Sequence, residues 1–132
     1  MIHGILLTHG PIGDALIEAV AGITGFSEGL HALSVTNMSI AEITARLLSL
    51  VNAPQEKQDG VIIMASLKGG SCWNVSVSVA LQRKNVYVVS GVNLPMVISF
   101  MMKRDNLDIE TLVQTLEKDG LRGINIFNDG SK

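Results

Sequence analysis

Three histidines, one cysteine and a glycine-serine run hold most of the reactive chemistry of this chain. His9 follows the apolar run Ile5-Leu6-Leu7 and precedes Gly10-Pro11. It falls where a buried strand gives way to a turn. A neutral imidazole nitrogen is a nucleophile, and a usual pKa of about 6.5 leaves the ring mostly neutral at pH 7. The run Ser66-Leu67-Lys68-Gly69-Gly70-Ser71 also closes an apolar segment. Both loops lead into segments of helical pattern. Free N–H groups from two helix starts, aimed at one spot, would favour an anion there. A histidine that accepts a phosphoryl group suits such a place. A histidine that merely fills a turn is the competing reading.

The remaining reactive residues carry weaker patterns. His3 lies six positions before His9, on the same side of an extended strand but roughly 20 Å away at about 3.3 Å per residue. That distance excludes one shared metal site. His31 opens a second apolar run and reads as structural. Without a cysteine pair or a close His/Asp/Glu cluster, zinc is unsupported and no cofactor is expected. Gly70-Ser71-Cys72-Trp73 matches part of the papain-type cysteine signature, with Gly69 where that signature has its first cysteine. No histidine follows Cys72, so that chemistry is excluded. Cys72 reads as a small buried residue in a first helical turn. Neither G-x-x-x-x-G-K-[ST] nor G-x-G-x-x-G occurs, which disfavours a nucleotide enzyme.

The elements that would position these residues follow from periodicity. Apolar runs at 5–7, Leu30 to Val35, Val61 to Ala65, Asn85 to Ser90 and Gly123 to Phe127 read as strands. Ile12, Leu16, Val20 and Ile23 recur at helical spacing, with Gly25 as a stop. Ser39-Ile40-Ala41-Glu42 reads as a capping box before Ile43, Leu47 and Val51, and Asn52-Ala53-Pro54 ends that helix. Val75-Ser76-Val77-Ser78-Val79 alternates as a strand would. About twenty residues separate the flanking strands, however, which is the length of a helical crossover between parallel strands. The spacing therefore predicts a helix there, with Ser71 as its cap. Pro95 sits in the first turn of a further helix. Asp108 caps the last one and Gly120 stops it. The order βαβαβαβααβ predicts an α/β fold: an open, doubly wound, mostly parallel sheet with helices on both faces. Ligands of such sheets sit beyond the carboxyl ends of the strands, where both candidate loops fall.

The 132 residues suit a single domain over 1–132, with a core at about 2–127 and a frayed tail at 128–132. A hydrophobic share of 47% against 17% charged excludes a disordered chain. The net charge of −2 and the lack of any basic block argue against nucleic acid. No basic segment opens the chain. The most apolar stretch, Val86 to Met102, is broken by polar residues and falls short of the roughly 20 a spanning helix needs. A cytoplasmic protein is expected.

Three stretches carry a family resemblance. Gly4-Ile5-Leu6-Leu7-Thr8-His9-Gly10 resembles the strand and loop that hold the phosphorylated histidine in mannose-type (mannose/fructose/sorbose) enzyme IIA domains of the bacterial sugar phosphotransferase system. Val61 to Met64 followed by Leu67-Lys68-Gly69-Gly70-Ser71 and Asn74 is similar to that family's D-L-x-G-G-S-x-x-N stretch. Ser90-Gly91-Val92-Asn93-Leu94-Pro95-Met96 is similar to its S/T-G-x-N-L-P-M signature. The resemblance spans about residues 2–127. It implies a phosphocarrier that takes a phosphoryl group from HPr onto His9 and passes it to an enzyme IIB, with IIC and IID permease subunits at the membrane. It implies no metal or nucleotide. It also implies a homodimer in which an antiparallel C-terminal strand is exchanged between subunits. Ser66, Lys68, Gly69, Gly70 and Ser71 would support the histidine and bind phosphate.

Two positions depart from the family pattern. Ser66 stands where an aspartate is usual, and Lys68 where an apolar residue is common. A serine can orient the imidazole but supplies no charge. A regulatory module with weakened phosphotransfer therefore stays open beside the carrier. So does the phosphotransfer component of a dihydroxyacetone kinase.

Overall fold

A computed structural model describes residues 1–53 and 59–130. Pro54 of the expected helix stop, and 131–132 of the expected tail, lie outside the described residues. Four strands alternate with five helices: β1 (His3–His9), α1 (Ile12–Thr24), β2 (Leu30–Val35), α2 (Ile40–Asn52), β3 (Val61–Ala65), α3 (Ser71–Leu81), β4 (Val86–Ser90), α4 (Leu94–Lys103) and α5 (Ile109–Arg122). The strands form one sheet in the order β2-β1-β3-β4, parallel throughout. The winding direction reverses at β1 and β3, so the loops after these two strands meet at one point of the carboxyl edge.

The sheet separates two apolar layers. On one face Leu6, Ile62 and Met64 pack with Val20 of α1, Val97 and Phe100 of α4, and Leu112 and Leu116 of α5. On the other, Ile5, Leu7 and Ile63 pack with Ile43 and Leu47 of α2 and Val75 and Val79 of α3. The successive residues of β1 and β3 thus serve opposite faces. That is why the two central strands are continuous apolar runs rather than alternating ones. β4 is an edge strand and only half-buried along its whole length.

Local chemistry sets the element ends. Gly25 closes α1 in the left-handed region at φ 89°. The Ser39, Asn93 and Asp108 side chains accept hydrogen bonds from the N–H of Glu42, Met96 and Thr111. The alternating valines and serines of α3 are helical: Cys72, Val75, Ser76 and Val79 share the buried stripe, and the Ser76 hydroxyl bonds back to the Cys72 carbonyl. Tertiary context overrode the period-two pattern because parallel strands require a crossover.

Several expectations need correction. Ser71 does not cap α3. Gly70 takes the N-cap position with no side-chain cap, and Ser71 is the first helical residue. Ile12, Ile23 and Ile40 extend the apolar spacing but lie in water. Gly120 does not stop α5, which runs on to Arg122. Gly120 is instead buried against Met96, where an added Cβ would come within 3.1 Å of the Met96 methyl. Its carbonyl accepts from the Asn93 amide. The glycine is a close-approach residue rather than a terminator. Finally, 124–129 form neither strand nor helix in the single chain. Ile126 and Phe127 are 93% and 91% exposed. A strand needs a neighbour to satisfy its backbone, and this segment has none within its own chain.

Candidate active site

The β1 carboxyl end presents His9 to solvent directly after five buried residues. Its loop is pinned from within. Thr8 is fully buried, its hydroxyl accepts from the Gly13 N–H at 2.9 Å, and Gly10 donates to the Val35 carbonyl at the end of β2. Gly10 takes φ +58°, a turn conformation that a glycine adopts without strain. One residue past β3, the Ser66 N–H donates to the Leu7 carbonyl. The β1–β3 pairing therefore extends to the site itself. It brings the Ser66 hydroxyl within 2.8 Å of His9 Nδ1. The ring as a whole is exposed, with the Cys72 sulfur 4.0 Å from Nε2.

The glycine loop then folds beneath the ring. Gly69 takes φ +95°, and a Cβ built on Gly70 would stand 3.8 Å from His9 Cε1. The Gly70 carbonyl accepts the first hydrogen bond of α3, donated by the Asn74 N–H. The N–H groups of Ser71, Cys72 and Trp73 precede the first intrahelical bond. The first turn of α3 has no acidic residue and no side-chain cap, so its N-terminal charge is open to an anion, worth roughly 0.3–1 kcal/mol.

The two helix starts are not equivalent. In α1 the Gly13 N–H is bound by Thr8, and Asp14 places a carboxylate in the first turn, where it accepts from the Ser34 hydroxyl at 2.7 Å. The start of α1 is thus largely satisfied by protein, and α3 is the anion-receptive one. Lys68 is exposed. Ser71 is half-buried at the helix start. Of the sequence-derived residues, His9, Ser66, Gly69, Gly70 and Ser71 converge, while Lys68 stands at the rim.

Cys72 joins the site unexpectedly. Its sulfur is fully buried and 3.9 Å from His9 Nδ1. Burial pushes the thiol pKa up, while a hydrogen bond with the Ser66 side chain pulls the other way. Its position after Gly70-Ser71 was the available sign, but only the crossover geometry turns it towards His9. His3 and His31 stay away, at the opposite end of the sheet. Their rings stack 5.3 Å apart, with His3 Nδ1 3.1 Å from His31 Nε2. Among the described residues no group of three or more His, Cys, Asp or Glu could hold a metal ion. No helix among them is long and apolar enough to cross a membrane.

The site is thus an exposed histidine at a parallel strand's carboxyl end, near an uncapped helix start. The family of the PTS system fructose IIA component matches residues 4–117. The chain belongs to this family. It is 26% identical over 117 residues to the PTS system sorbose-specific EIIA component of Klebsiella pneumoniae, covering 89% of this chain and 85% of that one. Its fold is shared with phosphotransferase system component EIIA from Streptococcus agalactiae, at a TM-score of 0.85 and 23% identity over 96% of this chain and 98% of that chain. The mannose/sorbose specific IIA subunit from Enterococcus faecalis superposes at 0.86, with 21% identity over 98% and 97%. This protein is a PTS enzyme IIA component of the mannose/sorbose family, a phosphotransferase class that serves sugar uptake. The Nδ1 partner is a neutral hydroxyl, not a carboxylate.

Proposed function

We propose that this enzyme IIA component is a cytoplasmic phosphocarrier that receives a phosphoryl group on His9 Nε2 from phospho-HPr and delivers it to an enzyme IIB. The observation that carries the reading is the asymmetry of the His9 ring. Nδ1 is held by Ser66 at 2.8 Å, while the ring itself is exposed near the open start of α3. With hydrogen on Nδ1, the Nε2 electron pair attacks the donor's phosphorus. The donor N–P bond breaks and its electron pair returns to a donor ring protonated at its other nitrogen, which leaves as neutral imidazole, while His9 keeps its Nδ1 proton and the phosphorylated ring carries the positive charge. Net charge is conserved across the transfer, so the site needs only orientation and an anion cradle. Ser71, Gly70 and the α3 N–H groups supply the cradle, and Lys68 adds positive charge at the rim. The exposed apolar side chains of Ile12 and Leu67 flank the two loops and offer contact area to HPr and IIB.

The working unit is a homodimer in this reading. β4 leaves one edge unpaired. A cavity of about 410 Å³ runs beside it, lined in part by Val88, Ser90, Met96, Gly120 and Ile124. Residues 124–127 of a second copy, exposed in the single chain, would supply an antiparallel neighbour and remove the open edge. Light scattering on the full chain, and on one ending at Arg122, tests this: a dimer is expected for the first and a monomer for the second.

The carrier reading is tested by incubation with enzyme I, HPr and phosphoenolpyruvate. One acid-labile phosphoryl group per chain is expected, absent in His9→Ala. Label that persists in His9→Ala overturns the assignment. The Ser66 hydroxyl favours one second reading, a regulatory module with slow transfer. Phosphorylation much slower than in an aspartate-bearing relative would support it.

A further inference from the structure

Arg104 closes α4 at the amino edge of the sheet, the edge opposite His9. The residue is only 7% exposed. Its guanidinium lies over the Phe100 ring, 5.5 Å from the centroid, and against Gly29, where an added Cβ would collide with Nη1. Nε and Nη1 are sealed from water and have no hydrogen-bond partner among the described residues. The neighbouring carboxylates, Asp105 and Glu28, act on the charge through space only. A buried guanidinium without acceptors is costly. It calls for a partner that these residues do not supply.

The same side chain forms part of the wall of a cavity of about 400 Å³, a size that suits a small molecule. Ile2, Leu107 and Ile109 give that cavity an apolar side. The exposed carboxylates of Asp105 and Asp108 also line it. Asp108 spends one oxygen on the Thr111 N–H and has a second to offer. Asp59, a third carboxylate of the wall, is bonded to the amino terminus at 2.9 Å. One cation without acceptors thus shares a cavity with carboxylates that have acceptor capacity to spare. A simple anion there would gain Arg104 and be repelled by the aspartates. A simple cation would meet the reverse. A molecule that carries both charges close together satisfies both, and an aliphatic side chain on it fits the apolar side.

We propose that this cavity binds a free α-amino acid with an aliphatic side chain. Its carboxylate takes the Arg104 guanidinium as a fork, through two parallel N–H···O bonds, and its ammonium lies between Asp105 and Asp108. Because Nε and Nη1 are sealed, the guanidinium turns outward about its own side-chain bonds as the ligand enters. That turn gives up a contact with Phe100 and breaks no hydrogen bond at these two nitrogens. The site is separate from the chemistry at His9.

Isothermal titration of the full chain with L-leucine, L-valine and L-methionine tests the proposal. Isocaproate and isoamylamine, which are leucine without its ammonium and without its carboxylate, serve as single-charge controls. At least one of the three amino acids should bind once per chain, and each control should bind at least about tenfold more weakly than leucine. Arg104→Met keeps the apolar stem and should weaken amino-acid binding by about tenfold or more. Asp105→Asn changes an exposed side chain and should weaken it as well; it decides the matter if the Arg104 variant fails to fold. His9→Ala should bind as the parent does. No saturable heat from any of the three amino acids overturns the proposal. So does isocaproate bound as tightly as leucine, a folded Arg104→Met variant with the parent's affinity, or binding lost in His9→Ala.

Discussion

β1 carries a histidine near each end, and the two meet opposite circumstances. His9, at the carboxyl end, is exposed and has a hydroxyl on one nitrogen. His3, at the amino end, stacks on His31, and the facing nitrogens of the two rings lie 3.1 Å apart. The difference follows from the direction of the strands. In a parallel α/β sheet the crossover helices start at the carboxyl edge, so free N–H groups gather there. At the amino edge burial lowers the His3 pKa first, followed by repulsion from His31 and Arg104; burial also lowers that of His31. One end gathers free N–H groups, and the other weakens the proton affinity of its imidazoles.

The sharpest way to break this contrast is to remove each histidine in turn. His9→Ala should abolish phosphorylation by phospho-HPr, while His3→Ala and His31→Ala should leave it within about twofold; radiolabel transfer from phosphoenolpyruvate reads all three. Loss of label in His3→Ala with the fold intact would erase the distinction between the ends.

Restoring a carboxylate sharpens the picture of the carboxyl end. Ser66→Asp should speed transfer to His9 about tenfold, equivalent to roughly 1.4 kcal/mol of transition-state stabilisation. Rapid-quench phosphorylation checks it, and an unchanged rate would mean that the hydroxyl already orients the ring fully.

The amino end should announce itself in stability, not in activity. Both rings bind protons more weakly folded than unfolded, relative to their usual 6.5. The unfolded chain therefore takes up more protons as the pH falls. The contribution of the pair is complete above about pH 6.5 and is lost below it. Urea midpoints measured from about pH 7 down to about pH 5 should decline. His31→Asn should flatten that decline, and a midpoint that drops as steeply in the variant as in the parent would rule the pair out as its cause.

The smallest effect is expected at Lys68. This side chain is exposed, so its charge acts through solvent and is screened within about 10 Å at 0.1 M salt. Lys68→Ala should change the salt dependence of the transfer rate while leaving the rate at high salt nearly unaltered.

Much of this organisation was legible beforehand because it depends on near neighbours in the chain. The caps at Ser39 and Asp108 each need a side chain and an N–H three residues on. The buried central strands declare themselves by apolar runs. Where the reading failed, a distant partner decided. Gly120 passed for a helix stop, yet Met96 of α4 required a glycine there inside a continuing helix. Residues 123–127 have the apolar content of a strand, but only a neighbouring strand could make them one. The pairing of His3 with His31 spans 28 positions and depends on the parallel register of β1 and β2.

The site divides the same way. The sequence by itself determined the histidine, its place at a strand end, the glycine turn and the absence of a carboxylate at Ser66, because each is a matter of residue type and local period. The tertiary structure decided which helix start stays open, since Thr8 and Asp14 occupy that of α1 while α3 has no cap. It also decided that Cys72 belongs to the site. The β1–β3 register and the crossover of α3 bring together groups 57 and 63 residues apart, and no local rule of spacing encodes a contact that packing alone creates.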